Sequence, residues 1–261
     1  MLQSKELRYI ALMKYYFHTV LKRTVIIVLL TLLYSHLHAE TLILTLAMKE
    51  SAAPFFTPDQ KGILNLLYKE AFKRVGKDII IHSLYAKRSL VRANTGEADG
   101  DALRLKNIHI YYPNLIRVPE PIWEVQLAAF TKNLNIKIKD WDSLKGYRIG
   151  YLNGWEFFDR HLSQFEYVHK SEYLSSLLFM LDRDRIDILL YSKLITQLYI
   201  KKNGLTSIKM LQPILKKQPA YLYLHKKHKQ LVPALATAFR QMKTDGNYEQ
   251  AEKMIEQQMQ D

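Results

Sequence analysis

The chain has 261 residues, 48% of them apolar and 24% charged, a composition that excludes wholesale disorder. It has no cysteine, which excludes disulfides, thiolate zinc sites, iron–sulfur clusters, a cysteine nucleophile and a lipid-anchored N-terminal cysteine. The formal charge of +13 points to nucleic acid or an anionic surface only if it is concentrated somewhere along the chain.

The first segment takes part of that charge. Residues 24–33 read TVIIVLLTLL, preceded by Lys22-Arg23 and followed by Ser35-His36-Leu37-His38-Ala39, the three regions of a secretory signal peptide. A spanning helix needs about 20 apolar residues, so an uncleaved anchor is the weaker reading. Cleavage is expected after Ala39, and Met13 offers an alternative start. Residues 1–39 hold Lys5, Arg8, Lys14, Lys22 and Arg23 against Glu6, so four of the thirteen charges lie there and nine on the remaining 222 residues.

The rest alternates between two periods. Thr41–Ala47 is a short apolar run rich in β-formers and predicts a strand. Ser51–Asp59, with two prolines and two phenylalanines, predicts a loop; Lys61–Val75 carries a helical apolar face and Gly76 stops it. Strand, helix and strand follow at Asp78–Leu84, Ser89–Asn94 and Ala98–Leu103, then a strand at Val125–Thr131. A second series runs through Tyr147–Leu152, Glu156–Leu162, Glu166–His169, Tyr173–Leu181, Arg185–Tyr191 and Leu194–Lys202. Tyr221–His225 predicts a strand leading back, and Leu231–Lys243 and Tyr248–Met259 two amphipathic helices. Alternating β and α elements predict parallel sheets with covering helices. A chain that leaves one α/β unit, builds another and returns predicts two lobes, a double crossing and a hinged cleft.

Gly96-Glu97-Ala98-Asp99-Gly100-Asp101, Trp141-Asp142-Ser143-Leu144-Lys145-Gly146, Tyr147-Arg148-Ile149-Gly150, Asp184-Arg185-Ile186-Asp187-Ile188-Leu189-Leu190 and Lys243-Thr244-Asp245-Gly246-Asn247-Tyr248 occur in that order. In order and spacing they resemble the periplasmic solute-binding proteins of the amino-acid-type family, family 3. The resemblance covers nearly all of 41–258. It implies an α/β, type II periplasmic-binding fold with two α/β lobes joined by a two-segment hinge. Lobe 1 is then 40–131 plus 220–261 and lobe 2 is 132–219, behind a signal peptide at 1–39. It also implies a lobe 1 arginine for a ligand carboxylate, matched by Arg104, and a lobe 2 aspartate for a ligand ammonium. The latter position is Ser192, and a neutral hydroxyl cannot make that charge-assisted contact. An ordinary amino-acid ligand is therefore not expected.

Candidate ligand residues lie where strands end, because the carboxyl ends of strands face the crevice in α/β folds. They are Phe55 or Phe56 after the first strand, Tyr85 and Arg88 after the second, and Asp101 and Arg104 on the third. In the second series they are Asn153, Gly154 and Trp155 at a strand-to-helix junction, and Tyr191 and Ser192 ending the central strand. Each has a plain structural alternative: loop packing for the phenylalanines, a turn and cap for 153–155, and an ion pair with Asp99 or Asp101 for Arg104. A guanidinium matches a carboxylate with two donors, so Arg104 favours an anion-bearing solute, with Asp101 orienting it or meeting a ligand donor. His225-x-x-His228 stands among three lysines with no third ligand, so no metal is expected, and no cofactor motif is present. No nucleic-acid-binding pattern accompanies the basic residues.

The sequence thus predicts a monomeric, exported, non-enzymatic protein of the periplasm. It would capture a small polar solute for an ABC permease, or for a membrane sensor that it partners. A dehydratase-like enzyme on the same fold, with Glu156 as acid, is the remaining alternative, and no motif supports it.

Overall fold

The computed structural model describes residues 20–22, 24, 41–48, 53–133 and 135–260. The chain divides into two units, residues 1–40 and 41–261. Of the first, the described residues are helical, with Thr24 Oγ1 donating to the Val20 carbonyl at 2.9 Å. The rest of the signal segment lies outside the described residues. Among those described, no helix is long and apolar enough to cross a membrane.

The second unit begins with β1 (Thr41–Leu46), α1 (Ile63–Arg74), β2 (Asp78–Ser83), α2 (Ala86–Thr95) and β3 (Gly100–Leu105). The short β4 (Leu115–Arg117) and the long β5 (Trp123–Thr131) lead into β6 (Ile149–Leu152), α3 (Glu156–His161) and β7 (Val168–Ser171). α4 (Leu174–Asp182), β8 (Ile188–Ser192) and α5 (Lys193–Lys202) follow, then β9 (Lys209–Met210), β10 (Lys216–His225), α6 (Val232–Thr244) and α7 (Asn247–Gln260).

Periodicity places these elements with small shifts. α1 buries Leu64, Leu67, Tyr68, Ala71 and Phe72, the face its apolar spacing presents, and Gly76 closes it at φ +69°. α2 starts three residues earlier than its apolar pattern and ends on Gly96 at φ +82°, with buried His225 carbons and nitrogens from 3.1 Å of where a Cβ would stand. β3 starts two residues later than its pattern. Its first residue, Gly100, lies so close to β10 that a Cβ would stand 2.3 Å from the Tyr223 carbonyl oxygen.

The strands join in the order β2-β1-β3-β10-β5-β8-β6-β7, with β4 on β10 and β9 on β5. β2-β1-β3 and β7-β6-β8 are parallel, as the alternating elements predict. The centre is antiparallel and is made by the two strands that cross between the halves. β5 pairs with β10 over Trp123–Leu127 and with β8 over Leu127–Phe130. β10 pairs with β5 over Lys216–Ala220 and with β3 over Ala220–Leu224. Each of these two strands therefore changes partner at a single residue, Leu127 in β5 and Ala220 in β10.

Two larger cores flank the sheet. One packs Leu44, Leu64, Tyr68, Phe72 and Phe239 beneath α1 and α6. The other packs Leu127, Ile149, Phe158, Ile188 and Leu190 behind α3. The buried apolar area of these layers supplies the main stabilising term, at roughly 25 cal/mol per Å².

Candidate functional site

A cavity of about 530 Å³ opens at the carboxyl ends of β1, β3 and β8 and beside the β6–α3 turn. That is the size range of small-molecule sites and the crevice position of α/β sheets. Both halves line it. From the first come Phe55, Arg104 and Trp123; from the second come Gly154, Trp155, Tyr191 and Ser192.

The aromatic rings form two walls. Phe55, buried, meets Trp123 edge-on at 5.7 Å between centroids. Trp155 meets Tyr191 edge-on at 5.1 Å and is backed by Phe158, stacked at 5.6 Å. Edge-to-face packing fixes ring orientation beyond simple burial. Burial pushes the Tyr191 phenol up, and the nearby Arg104 charge offsets part of that.

Arg104 is 7% exposed and Asp101 wholly buried. Asp101 Oδ1 accepts from Arg104 Nε at 2.9 Å and Oδ2 from Nη2 at 2.9 Å, a side-on, two-bond pair. Nη2 also donates to the Ala86 carbonyl at 2.8 Å. Ser89 Oγ donates to Asp101 Oδ2 at 2.6 Å, and Thr45 Oγ1 stands 3.3 Å from the same oxygen. Residues i and i+3 of a regular strand face opposite sides of a sheet. Here β10 advances two residues, Tyr221 to Tyr223, while β3 advances three, Arg104 to Asp101. This bulge carries the extra residue on β3 and turns both side chains to the same face.

A second, narrow pocket of about 30 Å³ holds Tyr85, Asn153 and Glu172. Asn153 Nδ2 donates to Glu172 Oε1 at 2.6 Å, and the Tyr85 hydroxyl to that of Tyr173 at 2.7 Å. The Tyr85–Tyr173 bond joins α2's cap to α4's cap, one in each half. Gly154, at φ +80°, packs on the start of α2: a Cβ there would stand 3.0 Å from both Ala86 Cβ and the Lys87 nitrogen.

The sequence candidates thus fall into four groups. Phe55, Arg104, Gly154, Trp155, Tyr191 and Ser192 line the main cavity; Tyr85 and Asn153 line the narrow one. Asp101 stands behind Arg104. Arg88 is exposed on α2 and lines neither pocket, and Phe56 is buried in the first core. Sequence reasoning missed Trp123, Ile255 and Met259, which line the main cavity. Trp123 opens a crossing strand, and an aromatic at such a crossing is the signal that would have found it. Ile255 and Met259 sit on α7, whose apolar face reads simply as packing. Glu156 lines the cavity, half-buried.

Away from the cavity, Asp99 Oδ1 accepts from His228 Nε2 and Lys227 Nζ at 2.7 Å each, and Oδ2 from the Ile43 N–H at 2.7 Å. Burial raises the Asp99 carboxyl, but these donors outweigh it and hold it below its ordinary value. His225 is pushed down by burial and by the charges of Lys227, Lys226 and His228. Among the described residues no three metal-ligating side chains cluster.

No family model matches the chain. A protein of Shewanella oneidensis strain MR-1, named as an uncharacterized protein, is 30% identical over 204 residues, 75% of this chain and 76% of that protein. Among solved structures, an ancestral arginine-binding protein bound to arginine superposes with a TM-score of 0.70 at 19% identity, over 83% of this chain and 99% of that one. A histidine kinase sensor domain with similarity to periplasmic binding proteins gives 0.69 at 13% identity, over 82% and 95%.

Proposed function

This chain belongs to one family with the Shewanella oneidensis protein and has the type II periplasmic-binding fold, and from that premise we propose that it captures a small polar solute between its two lobes. The resemblance to family 3 read from the sequence agrees with this fold. The lobes are 40–131 with 220–261, and 132–219. β5 and β10 are the hinge segments, and closure adds lobe 2 contacts to those of lobe 1, so ligand shifts an open–closed equilibrium. The observation that carries the reading is the cavity itself: it lies at strand ends of both halves, with an aromatic wall from each. The protein works as an exported, periplasmic, non-enzymatic monomer that delivers its solute to an ABC importer.

The structural likeness to a kinase sensor domain favours one second reading, a ligand-sensing partner of a membrane signalling protein. A neighbouring permease or sensor gene separates the two. Thermal-shift titration of the mature chain against a broad metabolite panel tests both. A ligand at 100 times its Kd stabilises by about 2.7 kcal/mol, roughly 5–10 °C for a domain of this size. No shift across the panel refutes solute capture. Native mass spectrometry of protein taken from its own periplasm identifies the solute directly.

A further inference from the structure

The Arg104–Asp101 pair has a consequence for what the cavity accepts. A guanidinium binds a carboxylate strongly when it offers two parallel donors and an uncompensated charge. Arg104 offers neither. Its Nε and Nη2 are committed to Asp101 and the Ala86 carbonyl, and the partner carboxylate is wholly buried beside it. Among the described residues Nη1 is the one Arg104 nitrogen with no hydrogen bond within the protein, so its two N–H groups, on one nitrogen, are what Arg104 has left for the cavity it lines. Drawing Arg104 off toward an anion would strand Asp101 buried and unpaired, which is strongly unfavourable.

The other charges on the wall do not restore a positive site. Lys106 and Arg160 are exposed, as are Glu124 and Glu256, so water screens both signs. The half-buried Lys193 and Glu156 are of opposite sign. With Asp101 counted behind Arg104, the cationic and anionic groups around the cavity balance among the described residues. What remains is a largely apolar, aromatic space whose polar groups are mostly uncharged: the Arg104 Nη1 side of a compensated pair, with Asn107, Gln126, Ser192 and Gln197 on the wall.

Resting on the solute-capture reading, we propose that Asp101 is a specificity-determining residue, which neutralises Arg104 and tunes the cavity to an uncharged ligand. That ligand carries a planar apolar body between the Phe55–Trp123 and Trp155–Tyr191 walls and a carbonyl-type oxygen toward Arg104 Nη1. This departs from the anion-bearing solute that Arg104 suggests when read in isolation.

Three probes of one shape test it: indole-3-acetamide (neutral), indole-3-acetate (anion) and tryptamine (cation), titrated calorimetrically into the mature protein at low and physiological salt. The amide is expected to bind at least tenfold more tightly than either charged probe, with little salt dependence. In Asp101→Asn, which keeps an oxygen for Ser89 and Thr45 but removes the charge, the acetate is expected to gain at least tenfold relative to the amide. Equal or tighter binding of acetate or tryptamine to the wild type overturns the proposal. So does failure of the amide to bind, or an unchanged preference in folded Asp101→Asn. Should that variant not fold, the wild-type ranking and its salt dependence decide alone. A panel solute of net charge that stabilises the wild type defeats this proposal and leaves solute capture standing; a panel with no stabilising solute defeats solute capture itself.

Discussion

Replacing Asp101 by alanine leaves Arg104 as a lone charge in a site where it is only 7% exposed. It also removes the acceptor for the Ser89 hydroxyl, 2.6 Å away. Breaking one side of a buried pair costs about 3–5 kcal/mol. At roughly 2–4 °C per kcal/mol for a domain of this size, the melting temperature should fall by about 6–20 °C. The Arg148–Asp187 pair is an internal comparison. Its bonds are as short, with Nη2 2.5 Å from Oδ1, but the two side chains are 48% and 26% exposed. Asp187→Ala should therefore cost about 1 kcal/mol or less, the range of exposed pairs. Urea unfolding of both single variants, and of Asp101→Ala/Arg104→Met, measures the difference. The double variant carries no stranded charge and should recover at least half of the loss. An Asp101→Ala cost below about 1 kcal/mol, or a double variant no better than the single, refutes the view of this pair as a closed, buried unit.

Gly154→Ala places a Cβ 3.0 Å from Ala86 and Lys87 at φ +80°; a cost of about 1–3 kcal/mol is expected in thermal unfolding, and an unchanged melting temperature refutes the close approach of the two halves there. Tyr85→Phe removes the hydroxyl bond to Tyr173, worth about 0.5–1.5 kcal/mol, so the ligand-free variant should show a larger radius of gyration by small-angle scattering than the wild type. Because His225 sits below its ordinary value in the folded protein, the unfolded chain takes up that proton first as pH falls. Its share of stability is complete above about pH 6.5 and declines below it. Urea midpoints at pH 7.5 and 5.5 should therefore differ more in the wild type than in His225→Asn. Asp99 acts in the same sense in a lower window: held below its ordinary value, its contribution is complete above about pH 3.8 and is lost as pH falls from there through its folded value.

Much of the fold is legible because its elements carry clean periods. The apolar face of α1, the run ILLY of β8 and the stops at Gly76 and Gly96 depend on neighbours only a few residues away. What escaped depends on distant pairing. The first half of β10, Lys216–Pro219, is polar and contains a residue without an N–H, so by itself it reads as a connector. It is a strand because Trp123–Leu127 of β5 lies beside it. β4 and β9, of three and two residues, are too short to carry a pattern and exist through the same kind of pairing. The crossing region, on which any hinge depends, is thus the part least visible in the sequence.

The candidate site divides along the same line. Tyr191, Ser192, Gly154 and Trp155 were legible because chain order alone puts strand ends and the following turns at the crevice. Arg104 was legible as a cation at such a place and its ion pair with Asp101 as one alternative, but not which of the two roles it takes. Alternation along β3 sends Asp101 and Arg104 to opposite faces, and only the bulge against Tyr221–Tyr223 brings them together. A one-residue irregularity, set by how β10 meets β3, thereby decides whether the floor of the cavity carries a free guanidinium or a neutral pair. Sequence spacing cannot register that choice, since the same two residues three apart serve either outcome. The proposed preference for an uncharged ligand therefore rests on strand register and not on the presence of an arginine alone.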